Sequence, residues 1–165
     1  MMPNIMPYQT DDIYLHKLIN YKDLFELIFN NIKLDSICEI GIEIGEFTSI
    51  IEIYLQKGII KEYHGVDVCI TPTTNKISSN AYYHQVTSLE YLTSDMHTGH
   101  DFYLIDGDHN YYTVSAELEN IFAADSGKKI CILHDTNWPC ARRDFYYNPG
   151  QIPEKAKKPL SWDKS

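Results

Sequence analysis

Glu39-Ile40-Gly41-Ile42-Glu43-Ile44-Gly45 is the stretch that decides the fold. It follows the apolar pair Ile37-Cys38. It precedes a segment in which Phe47, Ile50, Ile51, Tyr54 and Leu55 mark one face at helical spacing, with Gly58 placed to end the helix. An apolar run, a turn with two glycines and then a helix describe the first strand-to-helix corner of a nucleotide-binding α/β sheet. Gly41 and Gly45 are four apart, and the G-x-G-x-x-G spacing is absent. That spacing is what lets a backbone approach a pyrophosphate at a helix N-terminus. Its absence, and the carboxylate of Glu39, argue against a dinucleotide. The turn suits a cofactor without phosphate that carries a cationic or hydroxyl-rich part.

Outward from this corner the same alternation continues. Residues 11–32 read as a helix, with Tyr21, Leu24, Phe25, Ile28 and Ile32 at helical spacing. Strands are expected at 36–40, 63–68, 81–86, 102–105 and 130–133. The polar stretch 71–80 reads as a loop, and 88–92 as the start of a short helix. Val114, Leu118, Ile121 and Phe122 mark a further helix, closed by Gly127. Strands alternating with helices pair in parallel through right-handed crossovers. The expected fold class is therefore α/β, a Rossmann-like doubly wound, mostly parallel sheet. A single domain is expected over 1–165: a helical segment 1–33, a cofactor-binding core 34–138, and a Pro-rich basic tail 139–165.

In such sheets ligands bind beyond the carboxyl ends of the strands, and here those ends are chemically loaded. Glu39 and Gly41 end the first strand and Asp67 the second. Asp106, Asp108 and His109 end the fourth, and His134 and Asp135 the fifth. Asp67 lies 22 residues after Gly45, where a carboxylate can accept hydrogen bonds from both hydroxyls of a ribose. S-adenosylmethionine fits this set. Thr48 either contacts the carboxylate of the cofactor's methionine part or only stabilises the helix start. Asp106 and Asp135, on neighbouring strand ends, make a hard-oxygen pair suited to Mg²⁺. Such an ion can hold substrate hydroxyls and lower the pKa of one. His109 is placed to remove a hydroxyl proton, or else is bonded to its own loop. His134 reads as a ligand, a second base or a structural residue. Arg142 and Arg143 either bind an anionic part of the substrate or pair with Asp144. The remaining histidines, His16, His64, His84, His97 and His100, show no metal-ligand spacing.

Together these residues resemble a class I S-adenosylmethionine-dependent methyltransferase. The motifs are Glu39-Ile40-Gly41 with Gly45, Asp67, Ile105-Asp106-Gly107-Asp108-His109 and Leu133-His134-Asp135-Thr136. More narrowly they are similar to the cation-dependent O-methyltransferases and their bacterial sugar- and natural-product-modifying relatives. The resemblance covers about residues 35–149 and includes Ala141-Arg142-Arg143-Asp144-Phe145. It implies Asp106 and Asp135 as metal ligands, His109 as base, Ser88 near the adenine, and a hydroxyl on a small molecule or sugar as acceptor. Two departures stand out. Thr136 follows Asp135 where the family often has Asn or Asp. The family sheet has seven strands, whereas the 30 residues after Asp135 hold four prolines and no strand-like run. The last two strands are therefore expected to be missing, which leaves an edge that a homo-oligomer would cover.

Bulk properties narrow the class further. The chain has 165 residues and a net charge of −9, which disfavours generic nucleic-acid and anionic-membrane partners. Charge is uneven, with six Lys/Arg against three acids from Ala141 onward and eight against twenty before it. No signal peptide and no run of about 20 apolar residues is evident, so a cytoplasmic protein is expected. Cys38, Cys69, Cys131 and Cys140 show no C-x-x-C pairing and are expected reduced. Three readings follow: a methyltransferase acting on a hydroxyl, a cofactor-binding module or partner-dependent subunit without turnover, and a nicotinamide-dependent oxidoreductase.

Overall fold

The structure is a computed structural model that describes residues 18–70, 78–109, 111–123 and 127–134. Asp135, Arg142, Arg143 and the tail from 139 lie outside the described residues, as do loop positions 71–77.

Five strands form one sheet: β1 (Ser36–Ile40), β2 (Glu62–Val66), β3 (Ala81–His84), β4 (Phe102–Ile105) and β5 (Ile130–Leu133). Their order is β3-β2-β1-β4-β5, and every pairing is parallel. The fold is thus α/β with a Rossmann-like parallel sheet. β1 is central and buried at every position, as a strand covered on both faces should be. Winding reverses at β1, so crossovers of one hand put their helices on opposite faces.

One face carries α1 (Lys22–Asn31), preceded by a 3-10 turn at Leu18–Tyr21, and α2 (Glu46–Gln56). Phe25 and Phe29 of α1 pack with Phe47, Ile50, Ile51 and Tyr54 of α2 against Ile37, Tyr63, Phe102 and Leu104. Aromatic edges lock this layer, with ring centroids 4.7 Å apart for Phe25–Phe47 and 5.6 Å for Phe29–Phe102. The opposite face carries α3 (Ser88–Leu92) and α4 (Tyr111–Ala123). There Tyr91, Leu92 and Ile121 cover Cys38, Ile40, Val66, Tyr103 and Ile105.

Three expectations shift. The N-terminal helix buries Phe25 and Phe29, while Tyr21, Leu24 and Ile32 are exposed. The segment is apolar on more than one face, so aromatic packing rather than periodicity selects the buried stripe. β2 ends at Val66 and β3 at His84, each two residues short of expectation, because Val68 and Gln85 project into solvent. On α4 the buried positions are Thr113, Glu117 and Ile121, and Phe122 is exposed. A buried glutamate, invisible to apolar counting, sets that face.

Candidate functional site

The ladder of each central strand runs one hydrogen bond beyond the strand itself. Gly41 N–H donates to Val66 O, Asp67 N–H to His84 O, Asp106 N–H to Ile40 O and His134 N–H to Ile105 O, at 2.8–3.1 Å. With Ile40 opposite both Val66 and Ile105 in register, this puts Asp67, Gly41, Asp106 and His134 in one row across the carboxyl rim. The row straddles the switch between β1 and β4, where an open parallel sheet leaves its crevice.

Glycine is required at the centre of the row. Gly41 has φ +87°, and a Cβ there would fall onto the backbone carbonyl of Asp106 and 2.6 Å from Gly107 Cα. The corner thus packs directly on the end of β4. Gly45, at φ 80°, turns the chain into α2, and between them Glu43 adopts φ 49°. Asp67 holds this turn. Its Oδ2 accepts from Ile42 N–H at 2.8 Å and Glu43 N–H at 3.2 Å, and its Oδ1 from Cys69 N–H at 2.8 Å. The carboxylate expected to bind ribose is therefore also the clamp of the glycine turn.

Glu39 lies beneath the row rather than on it. Its side chain is 1% exposed. Thr48 Oγ1 donates to Glu39 Oε2 at 2.9 Å, and the Tyr63 hydroxyl donates to the same oxygen. The hydroxyls of Thr48 and Tyr63 are themselves 3.0 Å apart. Burial pushes the Glu39 carboxyl up to about 8, opposed by these two hydrogen bonds and reinforced by the charges of Asp106 and Asp67. Thr48 is likewise buried, so both side chains are turned into the interior and toward each other.

At the other end of the row, Asp106 Oδ1 accepts from His134 Nδ1 at 2.8 Å. A carboxylate can only accept, so Nδ1 carries a proton and donates it. His109 Nε2 stands 3.9 Å from the same oxygen, within ion-pair range and beyond hydrogen-bond range. The structure thus gathers the expected residues Asp106, His109 and His134 but makes His134 the better-oriented imidazole. Tyr21 comes edge-on to His134, with ring centroids 6.3 Å apart.

The described residues here offer one carboxylate and two imidazoles. Mg²⁺ takes oxygen ligands, and Asp135, the second expected one, lies outside the described residues, so no step below is routed through a metal. Ser88 opens α3 behind Thr87, whose side chain and that of Glu90 form a capping box. It faces Glu117, which is fully buried and whose two carboxyl oxygens make no hydrogen bond of good geometry among the described residues. Burial pushes Glu117 up to about 7 against the opposing pull of Ser88, with the charge of Asp108 adding to the rise. Asp108 itself accepts from Thr113 Oγ1 at 2.7 Å.

No protein-family model, no curated protein and no solved structure matches the chain. Function is therefore argued from the side chains at the rim.

Sequence reasoning missed Tyr63, Tyr21 and Glu117. Tyr63 sits inside a strand and Glu117 inside a helix, where a polar atom turned inward leaves no local signature. The placement of Tyr63 opposite Ile37 in register, on the same face as Glu39, is the one signal that pairing the strands would have supplied.

Proposed function

We propose that the chain is an S-adenosylmethionine-dependent methyltransferase acting on a hydroxyl of a small molecule or sugar. The observation that carries this reading is the anionic floor of the crevice. The carboxylates of Asp67 and Asp106 stand on either side of the glycine turn at the switch point, above the buried Glu39, whose carboxyl keeps its proton to about 8. A pyrophosphate would meet repulsion there, whereas a cationic, hydroxyl-rich cofactor is attracted.

When bound, S-adenosylmethionine supplies an electrophilic methyl group on a positively charged sulfur. The chain's own residues do the rest. Gly41 and Gly45 let backbone rather than side chains line the floor. Asp67 accepts three backbone bonds at carboxylate oxygens that have about four acceptor sites, so it fixes the turn and retains capacity for a ribose hydroxyl. Asp106 holds the His134 ring with Nε2 as its basic nitrogen, in the manner of an orienting aspartate. That nitrogen takes the acceptor's proton as the oxygen attacks. Asp106 stabilises the imidazolium that forms, and His109 stands 3.9 Å from the same carboxylate oxygen. Ser88, Arg142 and Arg143 keep their proposed roles near the adenine and an anionic acceptor group, and a homo-oligomer would cover a sheet edge. A second reading, cofactor binding without turnover, is motivated by the 30 residues after Asp135, which hold four prolines and no strand-like run.

The test is transfer of a labelled methyl group from S-adenosylmethionine to a panel of sugars and hydroxylated small molecules. Transfer that falls at least about 100-fold in His134→Ala, and less in His109→Ala, supports the assignment. Cofactor binding with no transfer at high protein concentration supports the second reading.

A further inference from the structure

Four histidines excluded by their spacing in sequence are brought together by the sheet, with His84 closing β3 and the others nearer the amino ends of the strands. On β2, Glu62 and His64 are two apart and project from the same face. His100 comes in just ahead of β4, and Ser36, opposite Glu62 in register, opens β1. These are the amino ends of the strands, the edge opposite the candidate site. Ligand atoms of Glu62, His64 and His100 lie within 4.8 Å of one another. His100 is buried, and Glu62 and His64 are half-buried.

The surroundings orient these groups. The Tyr91 hydroxyl bridges His64 Nδ1 at 3.0 Å and His100 Nε2 at 2.9 Å. His84 Nε2 is 3.1 Å from His64 Nδ1, and Ser36 Oγ is 3.3 Å from His100 Nδ1. His97 is held apart, with Nε2 2.7 Å from the Tyr103 hydroxyl, which itself accepts from His100 N–H. Proton accounting exposes a conflict. His64 Nδ1 meets both a histidine nitrogen and a tyrosine hydroxyl, and one nitrogen has either one proton or one lone pair. It cannot form a linear bond with each. Meanwhile the Glu62 carboxylate and His64 Nε2 make no hydrogen bond among the described residues.

We propose that Glu62, His64 and His100 bind a zinc-class divalent transition ion. Two imidazoles and one carboxylate are a three-ligand set that leaves the fourth tetrahedral position for water or an incoming group. Ligand atoms in such a shell stand about 3.3 Å apart, so the three groups, within 4.8 Å of one another, draw closer around the ion. Tyr91 and His84 supply the outer hydrogen bonds that aim the imidazoles. The ion ties the start of β2 to the segment entering β4, and none of its three ligands belongs to the carboxyl rim.

The test uses Co²⁺ as a spectroscopic probe on the full chain. The expected result is uptake of one equivalent with the intense visible bands of tetrahedral Co²⁺, displaced by Zn²⁺. Glu62→Gln and His100→Gln should each weaken Co²⁺ binding at least tenfold, with circular dichroism confirming that the variants fold. Half-buried Glu62 is the variant least exposed to folding failure. Asp106→Asn should leave the spectrum unchanged. The proposal is overturned if the chain takes up no Co²⁺, if folded Glu62→Gln binds it as tightly as the parent, or if Asp106→Asn abolishes the bands.

Discussion

Gly41 and Glu39 are two residues apart and fail in different ways when changed. Gly41→Ala must both leave φ +87° and push a methyl group into the Asp106 backbone, so it should cost about 3 kcal/mol or more in urea unfolding. Gly58→Ala, at φ +68° in open space, should cost about 1 kcal/mol. Equal losses would show that the β1–β4 contact is not tight. Glu39 predicts a pH effect. Its unfolded carboxyl releases a proton near the ordinary value of 4.5, whereas the folded group, facing Thr48, Tyr63, Asp67 and Asp106, holds it to about 8. Between those values the native state binds one more proton, so stability falls as pH rises, by up to about 1.4 kcal/mol per unit. Glu117, pushed up to about 7, acts in the same direction. Glu39→Gln should remove about one proton's share of that slope; an unchanged slope would mean the carboxyl ionises freely in the fold.

At the scale of elements, Asp67 joins β2 to the turn that enters α2. Asp67→Ala should accelerate hydrogen exchange at the amides of Ile42, Glu43 and Cys69 and weaken cofactor affinity by about 1–3 kcal/mol. Faster exchange with unchanged affinity would leave Asp67 a clamp and nothing more. Thr87→Ala, which breaks the capping box of α3, should cost about 1 kcal/mol by the same unfolding measurement. Elements were the most legible level in the sequence. β1, β4 and β5 fall where their apolar runs place them, with β1 and β4 buried at every position and β5, at the sheet edge, half-buried. Strand ends were less legible, since Val68 and Gln85 differ from buried neighbours only in what the tertiary structure leaves uncovered. Of the site, the rim row could be read because each strand end carries its own carboxylate or histidine. The inward turn of Glu39, the choice of His134 over His109 as Asp106's partner, and the histidine cluster depend on register between strands distant in sequence. No local pattern encodes that.

For the whole molecule, the sheet separates two chemistries. The carboxyl ends of the strands gather acids and histidines around a glycine turn, and toward the amino ends Glu62, His64 and His100 come together. No helix among the described residues is long and apolar enough to cross a membrane. The reading of the carboxyl rim turns on one property of the intact chain, its preference for a cationic cofactor over a pyrophosphate. Calorimetry with S-adenosylmethionine and NAD side by side measures that preference. Saturable, one-to-one binding of S-adenosylmethionine, weakened in Asp67→Ala, with no heat from NAD, is the expected result. Binding of NAD with none of S-adenosylmethionine would show that the anionic floor does not choose the ligand and would remove the methyltransferase reading.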